Sequence, residues 1–205
     1  DQAGGNPLYA EALCQALQQS DAILLDRETG EVRWTRLTPT LPVSLHELLL
    51  ARLEELPLTH QDVLKRAAVV GVSFEQQALL ALCQERMSEQ EVFVALEGAI
   101  QASFLSRVGE TTYRFNHSLM HETIYETLSF AQRQAWHSQV GDGLVDRPES
   151  SFELIAYHYL RGADVEKAAQ FGCQAGDKAR ERGIYAGALE YYEQVLALSE
   201  APREM

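Results

Sequence analysis

Only three lysines, Lys65, Lys167 and Lys178, occur in the 205 residues, and none follows a glycine. A phosphate-cradling loop of the form G-x-x-x-x-G-K-[ST] needs that lysine to neutralise the nucleotide's phosphates. No apolar strand ending in paired acidic residues is present to hold a metal ion. The chain therefore lacks the parts for phosphoryl transfer. The G-x-S-x-G elbow of the hydrolases is also absent, and no Ser-His-Asp or Cys-His set has a recognisable local context. Cysteine is scarce: Cys14, Cys83 and Cys173 are far apart, form no C-x-x-C pair, and each falls in an apolar helical pattern, so buried free thiols are expected. Positive charge is outnumbered, with 17 Lys and Arg against 30 Asp and Glu and a formal net charge of −13. Such a field repels nucleic-acid phosphates and anionic lipid. No apolar run approaches the roughly 20 residues that span a bilayer. Asp1-Gln2-Ala3-Gly4-Gly5 lacks the basic and apolar regions of a signal peptide. A cytoplasmic location is expected. The start at Asp1 and the stop just after a helical pattern read as cuts from a longer protein.

What remains is a globular composition, 46% hydrophobic and 23% charged. Asn6 is a good N-cap and Pro7 suits a first helical position, so a helix is predicted from there to about Ser20. Ile23-Leu24-Leu25 and Val32-Arg33-Trp34 flank a turn containing Gly30 and predict a short hairpin. Pro39 to Pro42 reads as a linker. Ser44 and Glu47 form a capping box for a helix whose apolar stripe is Leu45, Leu48, Leu49, Leu53 and Leu56, and Pro57 stops it. A second helix is predicted from Thr59 to Gly71, with Gly71 as its C-terminal cap, and a third over about Glu75 to Cys83. Ser88 and Glu91 cap a fourth, carrying Val92, Phe93, Leu96 and Ile100. Two strands, Phe104 to Val108 and Thr111 to Phe115, follow around Gly109-Glu110.

Three helices and then a hairpin is the order of a winged-helix domain. After Asn116 every segment predicts helix: Ser118 to Leu128, Gln132 to Leu144, Phe152 to Arg161, Val165 to Arg182 and Ala186 to Leu198. The last stretch places small residues where helices approach closely, and Tyr185, Ala188, Tyr192 and Leu196 on one face. It resembles part of a tetratricopeptide repeat, and a lone repeat cannot bury its face, so further repeats are expected. The expected architecture is mostly α. Its parts are a small helical domain with a hairpin at 1–56, a winged-helix-like domain at 57–116, connecting helices at 117–150 and TPR-like repeats at 151–205.

A winged helix raises the prospect of DNA reading. The helix that would enter the groove carries Glu89, Glu91 and Glu97, with no Lys or Arg between Arg86 and Arg107. Gln90 and Gln101 alone could address bases, and nothing there neutralises phosphates. A packing module is the better reading. His117 and His121 stand four apart on a predicted helix with Glu122 after the second. A zinc protease needs Glu directly after the first His, so metal catalysis is not expected.

Several segments together resemble one family. They are Gly5-Asn6-Pro7-Leu8-Tyr9, Leu41-Pro42 with Leu49, Arg52 and Leu53, and Ala67-Ala68-Val69-Val70-Gly71 with Phe74. Phe115, His117, Leu119, Glu122 and Tyr125 follow, then Arg133 with His137. In this order and spacing they resemble the C-terminal half of STAND-class signalling ATPases. The nearest flavour is the module attached to bacterial class III adenylate cyclases, protein kinases and large transcription activators. The resemblance covers nearly the whole chain.

It implies a non-catalytic regulatory segment working with an upstream P-loop domain that binds ADP or ATP with Mg²⁺. In that family the proline packs near the adenine, a role that falls on Pro7, with Gly5 allowing close backbone approach; ordinary helix capping by Asn6-Pro7 is the alternative. The family's phosphate-sensing histidine matches His117, although Asn116 and Ser118 depart from its usual flanks. Met120-His121-Glu122 offers His121 as the other candidate, and a buried structural histidine is the alternative for either. The implied partners are the upstream ATPase domain and a protein or inducer on the repeats. An interaction scaffold with no nucleotide role is the competing reading.

Overall fold

A computed structural model of the protein describes residues 23–25, 32–34, 45–147 and 150–200. The segment carrying Gly5, Pro7 and Cys14, the Gly30 turn, the Pro39–Pro42 linker and Ser44 of the first capping box lie outside the described residues. The chain separates into two compact units, Asp1–Gln61 and Asp62–Met205.

In the first unit, β1 (Ile23–Leu25) and β2 (Val32–Trp34) pair antiparallel, with Leu24 opposite Arg33, as expected of a hairpin. Helix α1 (Leu45–Glu54) buries Leu48, Leu49, Arg52 and Leu53 at helical spacing. It ends ahead of Pro57, and Leu56 N–H closes the last turn on Leu53 O at 3.2 Å.

The second unit is mostly α, with a small sheet. Helix α2 (Leu58–Val70) begins one residue earlier than predicted. Gly71 ends it, donating its N–H to Ala67 O at 3.0 Å with φ of +150°, a conformation that strains any side chain. Strand β3 (Ser73–Glu75), helix α3 (Gln76–Cys83), helix α4 (Glu89–Gln101) and strands β4 (Leu105–Arg107) and β5 (Thr112–Phe115) follow. The strands form an antiparallel sheet in the order β3-β5-β4. The sequence reading lacks β3, because three residues with one buried side chain, Phe74, carry no alternation of their own. Pairing with β5 supplies the strand: Phe74 lies opposite Tyr113 and their rings stack 5.9 Å apart. The predicted capping box is formed, with Ser88 Oγ accepting from Glu91 N–H and the Glu91 carboxylate accepting from Ser88 N–H.

Helices α5 (Ser118–Glu126), α6 (Phe130–Val145), α7 (Phe152–Tyr159), α8 (Val165–Glu181) and α9 (Tyr185–Glu200) complete the chain. A second capping box, Ser129 with Gln132, starts α6 earlier than the apolar pattern suggests. One buried cluster runs from Val69 and Leu82 through Leu128, Val140 and Leu144 to Ile155, Tyr159 and Ala168. Segments that the sequence reading divides into winged-helix, connecting and repeat regions thus share a core.

Helices α7, α8 and α9 pack through small residues. A Cβ on Gly172 would lie 2.5 Å from Val195 Cγ2, and one on Gly176 would lie 2.5 Å from Tyr192 Cε1. Val195 is β-branched and has little freedom to move aside. Gly172→Val is therefore expected to cost ~1–3 kcal/mol by overpacking. It should accelerate amide hydrogen exchange in α9 above all, and an unchanged exchange pattern would show that the close approach is not limiting. Of the face predicted on α9, Ala188 is buried, while Tyr185 and Leu196 point outward, 72% and 62% exposed. The thiols also divide: Cys83 is buried as expected, with burial pushing its pKa up to about 12, but Cys173 is exposed. The expectation of a buried Cys173 is corrected because it lies off the α8 face formed by Gly172, Ala175, Gly176 and Ala179.

Candidate functional site

The end of β5 feeds directly into α5, and Asn116 fixes that junction. Its side-chain amide donates to Ser103 O at 2.8 Å, and its N–H donates to Phe104 O at 3.1 Å. His117 follows as the N-cap of α5, in extended conformation. Its carbonyl accepts from Met120 N–H at 3.1 Å and His121 N–H at 3.3 Å, while its imidazole makes no capping bond. The half-buried residue thus stands at the end of the helix where the first N–H groups emerge, an electropositive position.

His121, one turn on, is engaged differently. Its Nε2 lies 2.8 Å from Ala68 O, and since a carbonyl only accepts, Nε2 carries the proton. The ring also meets Phe115 edge-on at 5.3 Å and stacks with Tyr125 at 6.2 Å. Burial lowers its pKa, which favours the neutral ring.

Beyond Tyr125 lies a cluster that the sequence shows only in part. Tyr125 Oη is 2.9 Å from His137 Nε2, and His137 Nδ1 is 2.9 Å from His158 Nδ1. His137 is 0% exposed and His158 1% exposed. Burial holds His137 down to about 4 and His158 down to about 3, with Arg161 and the neighbouring imidazole or Arg133 adding to it. Both rings are neutral at pH 7, and a single proton lies between the two Nδ1 atoms. Arg133 frames one end, donating to Leu128 O and Glu126 O at 3.0 Å each while lying over the Tyr125 ring. Arg161 frames the other, 3.9 Å from the centre of the Tyr157 ring. Tyr125, Arg133 and His137 stand among the residues singled out from sequence. His158, Tyr157 and Arg161 do not, because they lie on and just after α7, 20 or more residues from His137, with no local spacing to connect them.

Two cavities flank this cluster. A groove of about 370 Å³ between α7, α8 and α9 is lined by Tyr157, Arg161, Arg182, Glu153, Glu190 and Tyr191, among others. A cavity of about 220 Å³ lies where β3 and β5 meet α6 and α7, with His158 and Arg147 in its wall. Among the described residues no three His, Cys, Asp or Glu side chains gather to hold a metal ion. Among them, too, no helix is long and apolar enough to cross a membrane.

The chain is similar to an uncharacterized protein of Rhizobium meliloti (strain 1021). The two are 28% identical over 204 residues, taking in 96% of this chain and 19% of that protein. The chain thus spans about a fifth of the relative it matches. No family model matches it. No solved structure matches it either.

Proposed function

We propose that this chain is a non-catalytic regulatory segment of a larger STAND-class signalling ATPase, closing over ADP or ATP held by an upstream P-loop domain. The observation that carries the reading is the α-β-α-α-β-β run from α2 to β5 with sheet order β3-β5-β4, which suits a winged helix and leads to His117 at the start of α5. A histidine beside emerging helix N–H groups suits a phosphate, to which it gives a charge-assisted hydrogen bond. His121, spent on Ala68 O and an aromatic stack, is the weaker candidate. The match to only 19% of a longer relative fits a segment that acts within a bigger chain. Pro7 and Gly5 would contact the adenine side. On this reading nucleotide exchange removes the contacts that favour the closed state, and the helical pairs after Ser151 carry a protein or inducer.

α4 supports a packing role rather than DNA reading. Its Glu97 is turned toward Arg107 of β4, and Glu91 is spent on the capping box. A cytoplasmic location accords with this reading. The groove of α7 to α9 favours a second reading, an interaction scaffold from a transcription regulator with no nucleotide role.

Calorimetric titration with ADP separates the two. The protein extended by its natural upstream sequence should bind ADP, and His117→Ala should weaken that binding about tenfold, the usual loss for a charge-assisted bond. The same change in the full-length protein should raise basal output. An absence of ADP binding in the extended protein leaves the scaffold as the account.

A further inference from the structure

The 220 Å³ cavity between the sheet and α6–α7 has a body of apolar side chains and several polar ones in its wall. Val70, Ala78, Val140, Leu144 and Leu154 form the body. Arg147, half-buried at the end of α6, makes no ion pair among the described residues. His158 lines the same space while 1% exposed. Its Nδ1 is taken by His137, and no described group bonds its Nε2. Gln174 Oε1 is the one side-chain polar atom among the described residues that is fully sealed without a partner, so His158 Nε2, on a residue that lines the cavity, is not fully sealed. A ring nitrogen with hydrogen-bonding capacity, on a residue that lines the same cavity as a guanidinium without a close ion pair, lacks the partner that buried polar groups normally have. Glu75 lines the same cavity; the hydroxyls of Thr112 and Thr111 hold its pKa down first, and the charge of Arg147 adds to that.

We propose that this cavity binds a small apolar molecule ending in a carboxylate, with Arg147 and the His158 Nε2–H holding the carboxylate and the α6–α7 side chains holding the body. The volume admits a small organic acid and is too small for a nucleotide. Binding would also fix a proton arrangement. A carboxylate only accepts, so His158 must donate from Nε2, and its Nδ1 then accepts from His137 Nδ1–H. His137 Nε2 in turn accepts from the Tyr125 hydroxyl. The ligand thereby selects one of two tautomeric arrangements of a chain that ends on α5, the helix His117 begins. The site does not depend on the nucleotide reading, and its test uses no nucleotide.

The probes are hexanoate and benzoate, each beside its neutral amide, titrated into the protein with the histidine ring nitrogens observed by NMR. Either carboxylate is expected to saturate and to move the His158 and His137 nitrogen shifts toward the arrangement above. The amides should bind about tenfold more weakly or less, and Arg147→Gln should cost about tenfold in affinity. Ala78→Phe, which takes up space in the cavity, should abolish binding. Arg147 lies at a helix end, so its variant tests the idea even where the filled variant fails to fold. The proposal is overturned where neither carboxylate moves the His158 signals. Amides binding as tightly as acids, or Arg147→Gln leaving the affinity unchanged, would overturn it equally.

Discussion

Arg66→Ala is expected to destabilise the second unit by about 3–4 kcal/mol, the range for removing one member of a buried, hydrogen-bonded charge network. The guanidinium is 5% exposed and joins three helices. Its Nη1 donates to Leu82 O at the end of α3, its Nε donates to Asp62 Oδ2 at 3.1 Å within α2, and its plane lies 4.5 Å from the centre of the Trp136 ring on α6. Removing it leaves the Leu82 carbonyl unsatisfied in the core and opens a gap beneath the indole. Arg66→Lys should recover only part of the loss, since an ammonium cannot reach carbonyl and carboxylate in one plane while stacking on Trp136. Asp62→Ala should cost less than Arg66→Ala, because Asp62 is 36% exposed, although it leaves the buried guanidinium without its counter-charge. Urea unfolding gives the answer: a lowered midpoint at unchanged slope for Arg66→Ala. A loss below 1 kcal/mol would mean that the three-helix junction does not depend on this side chain.

Stability should also fall steeply on mild acidification. His137 and His158 titrate near 6.5 when unfolded but are held down to about 4 and about 3 in the fold. Between those values the unfolded chain binds more protons than the folded one, so stability is full above about pH 6.5 and lost as pH falls toward the folded pKa values. Each histidine contributes a slope of up to about 1.4 kcal/mol per pH unit in that window. Because the two rings face each other at 2.9 Å, the second proton is the harder to add. His121, lowered in the same direction, adds to the decline. Unfolding measured from pH 7.5 to 4.5 should show this decline. The double variant His137→Phe, His158→Leu should flatten it, and a slope that survives the double variant would assign it to other groups. Glu75 and Asp142, both lowered, lose their contributions only at more acid pH.

Residue order alone determined much of this protein. The absence of a phosphate-cradling lysine, the excess of negative charge, the capping box at Ser88, the Gly71 stop and nearly every helix follow from local chemistry, and local chemistry acts over a few residues. His117 and His121 stood out by spacing, and Arg133 and His137 by the resemblance to a family. Only the tertiary structure decided the rest. Strand β3 exists because β5, nearly 40 residues away, supplies its hydrogen bonds, and Phe74 has nothing to stack on until Tyr113 arrives. His121 becomes a packing residue because the Ala68 carbonyl meets its ring. His158 acquires a partner and a cavity from α6 and β3, and Arg66 acquires its role from Leu82 and Trp136. These are pairings between residues distant in sequence, and a period or a cap carries no record of which distant face will close against it.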